Sequence, residues 1–150
     1  RDRPIWIFDH HHETTSTDSD GNSDTDHHYS AYIVIRHDFE CAPLDVRRGS
    51  FLDGIGSLFG FEDIEFESKQ FNDRWHVHSK DRQFAYELFD PLMIEYFGTL
   101  ERFTASWRES WGLYHVPGGL GAYHIRRHLR RVRGFLERIP RFVRKDYARS

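Results

Sequence analysis

Five histidines stand in two blocks, His10-His11-His12 and His27-His28, on either side of an aspartate-rich stretch from Asp18 to Asp26. Neutral imidazole and carboxylate are donors that zinc and nickel accept. If the segments carrying these blocks pair as a hairpin, the imidazoles converge with Asp24 and Asp26 beside them. His10, His12, Asp24, Asp26, His27 and His28 are therefore the candidate ligands for a divalent metal. Neighbouring residues on a strand point to opposite faces, so within the first block only His10 and His12 act together. The spacing matches no defined metal motif. A polar edge hairpin accounts for the same residues more simply and takes precedence. No other cofactor is expected.

Three further constellations are weaker. The run Asp18-Ser19-Asp20-Gly21-Asn22-Ser23-Asp24-Thr25-Asp26 invites a calcium loop. With Gly21 at the sixth position, His27 falls where a bidentate acid belongs and Ser16 where the first ligand belongs, so a solvated loop is the better reading. Glu65, Glu67, Asp73 and Arg74 gather near one turn, yet alternation makes Glu65 and Glu67 an outward face. Asp73 is the odd member, a charge at an inward position of its strand pattern. Pro117-Gly118-Gly119-Leu120-Gly121 precedes a helix, but no Lys-Ser/Thr follows and the spacing fits no dinucleotide fingerprint. No catalytic residue emerges.

The last constellation is electrostatic. Residues 121–150 hold ten Lys/Arg against Glu137 and Asp146, a balance of +8. The whole chain carries −3, so the remaining residues carry −11. Arg126, Arg127, Arg130, Arg133 and Arg138 line one side of the terminal helix and could meet anionic lipid, at about 1 kcal/mol per basic residue near the surface. Nucleic acid phosphates are a further candidate contact but a poorer one, since that face lacks the aromatics on which single-stranded bases stack. Pairing with the acidic body and solvent is the simplest account of these arginines.

The elements that must position these groups follow from periodicity. Pro4–Glu13 reads as a strand, residues 14–28 as a polar loop or long hairpin connection, and Tyr29–Phe39 as a buried strand. Cys41–Val46 adds a short extended piece that Pro43 confines to an edge. A helix is expected from Ser50 to Phe59, closed by Gly60. Ile64 and Phe66 begin a hairpin that turns at Ser68-Lys69-Gln70 and returns through Phe71, Trp75 and Val77. Ser79 or Asp81 caps a helix through Phe89, and Asp90-Pro91 starts another that closes at Gly98, with Leu92, Met93, Tyr96 and Phe97 on its apolar side. Arg102–Trp107 and Trp111–Val116 are two strands joined around Glu109-Ser110. The final helix runs from Gly121 to Ile139, with Ile125, Leu129, Val132, Leu136 and Ile139 on one face.

The order β-β-α-β-β-α-α-β-β-α defines an α+β domain over residues 1–150: an antiparallel, strongly twisted sheet of about six strands, with helices mainly on one face. At 150 residues and 16% aromatic content, the core is built largely from Phe, Trp and Tyr. Cys41, the one cysteine, has no partner for an internal disulfide, and no apolar run is long enough to span a bilayer. The chain opens on Arg1-Asp2-Arg3 rather than methionine, which fits a piece of a longer, membrane-anchored protein.

The middle of the chain carries a recognisable pattern: Glu67-Ser68-Lys69-Gln70-Phe71-Asn72, Arg74-Trp75-His76-Val77, Asp81, Phe84-Ala85 and Leu88-Phe89-Asp90-Pro91-Leu92-Met93. It resembles an uncharacterised prokaryotic domain family of unknown function, whose members often follow one or two membrane-spanning helices. Trp6-Ile7-Phe8-Asp9 is similar to that family's opening strand, and Ile139-Pro140 to its close. Trp75 stands where the family has Phe, and the His-rich strand lies outside its pattern. The resemblance implies fold kinship and a tethered setting at the cytoplasmic face of a membrane, or a cytoplasmic one without an anchor. It implies no catalytic residue. The expected function is a non-enzymatic binding or scaffold domain with an unidentified protein partner. The alternatives are metal binding by the hairpin and anionic contact by the terminal helix.

Overall fold

One strand organises the molecule. In the computed structural model, which describes residues 4–49, 62–101, 103–117 and 121–148, β2 (Ser23–Arg48) is a single strand of 26 residues. β1 (Ile5–Thr17) pairs with its first half along one edge, and β4 (Trp75–Ser79) with its last residues along the same edge. β5 (Thr104–Pro117) lies along the other edge, and β3 (Glu62–Asp63) adds to β4. All pairings are antiparallel. The helices are α1 (Lys69–Asn72), α2 (Arg82–Leu88), α3 (Pro91–Gly98), α4 (Ala122–Arg138) and α5 (Arg141–Asp146). The fold is the expected α+β antiparallel, twisted sheet.

The differences from expectation have local causes. Residues 14–28 are not a loop: β1 and β2 stay paired to Thr17↔Ser23, and only Asp18–Asn22 turns. The Asp18 carboxylate accepts the Asp20 and Asn22 N–H groups at 3.0 and 2.8 Å, and Gly21 supplies a φ of 83°. Pro43 sits not at an edge but beside a register shift between Cys41 and Leu44, where a strand tolerates a missing donor. Its carbonyl accepts from the Ser79 hydroxyl at 3.1 Å. The two expected strands around Glu109 are one. Glu109 takes a φ of 53°, and β2 bulges from Arg36 to Cys41 while β5 passes only from Trp111 to Glu109. The bulged stretch turns to the C-terminal segment instead: Phe39 bridges Ala148, and Arg144 reaches Asp38 at 3.0 Å. Five strands rather than six result among the described residues.

The expected second hairpin is mostly helix and coil. Ser68 accepts the Phe71 N–H at 3.2 Å and caps α1 where a turn was expected. Asp73 follows as the C-cap, exposed and bonded to Lys69 at 2.9 Å, so its apparent inward charge belongs to a helical turn facing solvent. The caps of α2 and α3 are as expected: Asp81 accepts from Phe84 N–H at 2.9 Å, Asp90 from Met93 N–H at 2.8 Å, and Pro91 opens α3. Leu92 is exposed, against its expected apolar placement. The helix expected over Ser50–Phe59 lies outside the described residues.

The core lies between one face of the sheet and the helices. Phe97 on α3 is its hub, with ring centroids at 5.0 Å from Trp75, 5.2 Å from Phe89 and 5.7 Å from Phe103. Val132 and Phe135 of α4 and Ile139, its C-cap, are buried, and Phe135 stacks on Trp107 of β5 at 5.0 Å. Offset and edge-on aromatic contacts of this kind add about 0.5–1.5 kcal/mol each beyond area burial. Inside the sheet face, the Tyr114 hydroxyl lies 3.1 Å from His37 Nε2 and accepts from Trp107 Nε1 at 3.2 Å. Gly112 makes this network fit: a Cβ there would lie 2.5 Å from His37 Nε2. Cys41 is buried, which pushes its thiol up to about 12 and keeps it protonated. No helix among the described residues is long and apolar enough to cross a membrane.

Candidate functional site

β1 is exposed at every residue, and so is the stretch of β2 from Ser23 to Tyr29 that pairs with its outer part, so this end of the β1–β2 ribbon stands in solvent. Its register sorts the histidines by face. His12 lies opposite His28, Thr14 opposite Asp26 and Ser16 opposite Asp24, so these residues share one face with His10. The rings of His10 and His12 are 5.4 Å apart, those of His12 and His28 4.7 Å, and the Thr14 hydroxyl meets His28 Nε2 at 2.9 Å. His27 lies opposite Glu13, on the other face. The expected ligand set is thus divided by the ribbon.

The face that holds His27 brings three donors together. His27 Nδ1 lies 3.1 Å from His11 Nε2 and 3.1 Å from a Glu13 carboxylate oxygen, and His11 Nε2 is 3.7 Å from that oxygen. Tyr29 stacks on His11 with centroids 4.5 Å apart. Among the described residues, three His, Cys or carboxylate donors lie within 4.8 Å of one another only here. His11 and Glu13 were missed by sequence reasoning. The signal was present: a turn centred on Asp18–Asn22 sets Glu13 against His27, and strand parity then adds His11.

The base of the ribbon is apolar. Ile5, Trp6, Ile7 and Phe8 are 37–50% exposed. On the sheet face away from the helices, Trp6 meets Trp111 at 5.4 Å and Phe8 stacks on Tyr32 at 5.3 Å. Trp111 and Leu113 of β5 are exposed beside them, and Arg36 lies 5.6 Å over the Trp111 ring.

The five arginines of α4 expected to meet an anionic surface are all exposed, but three of them engage their own chain. Arg127 pairs with Glu101 at 3.5 Å and Arg133 with Glu137 at 2.7 Å. Arg138 donates to the Gly134 carbonyl at 2.8 Å and lies 4.3 Å over the Tyr96 ring. Arg126 and Arg130 stand one turn apart. On the opposite side of the helix His128 is buried without a hydrogen-bond partner on either ring nitrogen. Burial first, then the positive charge of Arg131, holds its pKa down to about 4. His115 is lowered by burial as well.

No protein-family model matches the chain, and no curated protein matches it. Among solved structures, the fold is similar to the crystal structure of the mycobacterial trehalose monomycolate transport factor A, TtfA. The TM-score is 0.57 at 14% identity, over 83% of this chain and 69% of that one. At that identity the likeness is one of fold.

Proposed function

We propose that this chain is a non-enzymatic binding or scaffold domain that works at the cytoplasmic face of a membrane and takes a protein partner along β1. The observation that carries the reading is the outer edge of β1, which no strand pairs among the described residues. Ile5–Phe8 presents large apolar side chains on both faces of an edge strand, where folded proteins usually place charge or cover. An extended segment of a partner added to that edge would gain backbone hydrogen bonds and bury Trp6 and Phe8 together with Trp111. The resemblance of the central segment to a membrane-tethered family supports the location. The structural neighbour is described as a transport factor, and a supporting role in a transport assembly is compatible with this reading.

The test is photo-crosslinking in cells that produce the protein, with benzoylphenylalanine at Ile5 or Trp6 and, as control, at the exposed Leu92. An adduct to another protein at the β1 positions, absent at Leu92 and lost in an Ile7→Lys background, is expected. Adducts only to a second copy would replace the reading with self-assembly, and none specific to β1 would sink it. Recovery of the full-length protein with cytosol rather than membranes would remove the membrane placement.

A further inference from the structure

We infer that the ribbon carries a binding site for a divalent transition-metal ion of the zinc class, with His11 Nε2, His27 Nδ1 and the Glu13 carboxylate as its protein ligands. The inference stands apart from the partner reading, because it uses the middle of the ribbon rather than its apolar base.

Around a tetrahedral zinc ion with ligands at roughly 2.0–2.2 Å, neighbouring donor atoms lie about 3.3–3.6 Å apart. The three separations here are 3.1, 3.1 and 3.7 Å. The set is assembled from both strands by backbone pairing, since Glu13 faces His27 and His11 faces Tyr29 in register. Tyr29 stacks nearly parallel on His11, at 11°, and the His11 and His27 planes lie 18° from parallel with their nitrogens 3.1 Å apart. The Tyr29 contact thus restrains the His11 ring before any ion arrives.

A carboxylate only accepts, and each neutral imidazole offers one N–H. A proton on His27 Nδ1 cannot point squarely at both Glu13 and His11 Nε2. A proton on His11 Nε2 instead leaves the lone pair of His27 Nδ1 against the carboxylate oxygen. A cation at the centre satisfies all three lone pairs at once. Two imidazoles and one carboxylate suit zinc and its neighbours in the first transition row better than magnesium or calcium, which take oxygen ligands. Three protein ligands leave a fourth position for water or a donor from a partner.

Isothermal titration of zinc chloride into the intact, tag-free chain after chelator treatment tests this. One ion per chain is expected, with affinity falling as the pH is lowered because imidazole ligates only when neutral. His27→Gln and His11→Gln should each weaken binding by roughly tenfold or more, while His28→Gln, on the other face, should leave it within about twofold. Absent saturable binding, unchanged affinity in the His27 variant, or equal loss in the His28 variant would each overturn the site. Should a variant not fold, proton–nitrogen NMR of the unsubstituted chain decides. Zinc-dependent shifts at His11 Nε2 and His27 Nδ1 support the site, and shifts confined to His12 and His28 overturn it.

Discussion

His128 shows how much a single residue can hide. Its sequence neighbourhood is basic and helical, and nothing in it separates an inward histidine from an outward one except the step from Ile125 to Leu129 and Val132. In the fold it is 4% exposed and held neutral, with Arg131, His124 and Arg127 nearby. The sign of the consequence is fixed. Its folded pKa, about 4, lies below the ordinary imidazole value of about 6.5, so the unfolded chain binds the proton more readily. Stability from this group is complete above the unfolded value and is lost as pH falls through the window toward about 4. Urea unfolding at pH 7 and pH 5 should show a loss on the order of 1–2 kcal/mol from this residue. A His128→Gln variant should show a flatter profile, and an unchanged slope would contradict the assignment. The candidate ligands were legible by type and only half legible by position: parity separates His27 from His28, and no composition argument does that.

At the scale of elements, caps and stripes were readable because their chemistry is local. Asp81, Asp90 and Pro91 act within three residues of themselves, and α4 repeats its apolar positions over several turns. Asp90→Ala should therefore cost about 1 kcal/mol, measured by chemical denaturation, through loss of the bond to Met93 N–H. Strand boundaries were less readable because partners elsewhere decide them. Pro43 and Glu109 look like breaks in a one-dimensional reading. They become bends in continuous strands because β2 carries extra residues against β5 at both places, and the C-terminal segment takes up those of the first. Asp73 failed for a related reason: alternation predicts a strand, but the Ser68 cap turns the same residues into a helical turn.

At the scale of the molecule, an acidic body folds against a basic C-terminal part, and some of that contrast is closed internally by Arg127–Glu101 and Arg144–Asp38. Such partly exposed pairs add little to stability, typically 0 to ~1 kcal/mol each. The aromatic core carries the fold instead. Phe97 touches rings from α1, β4, α4 and the segment before β5, so its removal opens a cavity that no single neighbour can fill. Phe97→Ala should cost about 3–5 kcal/mol and lower the melting temperature by roughly 10 °C in calorimetry. A shift near zero would mean that the core is not organised around this ring.

The length of β2 has a consequence for inheritance. Residues Ser30–Ile35 are hydrogen-bonded to β1 on one side and β5 on the other. A single inserted or deleted residue there would exchange the faces of two neighbouring strands at once. Heritable changes in length are thereby directed outward, to the Asp18–Asn22 tip, where the chain can grow or shrink without disturbing which histidines face one another. Lineages carrying this domain should differ in the reach of the ribbon while keeping its phase.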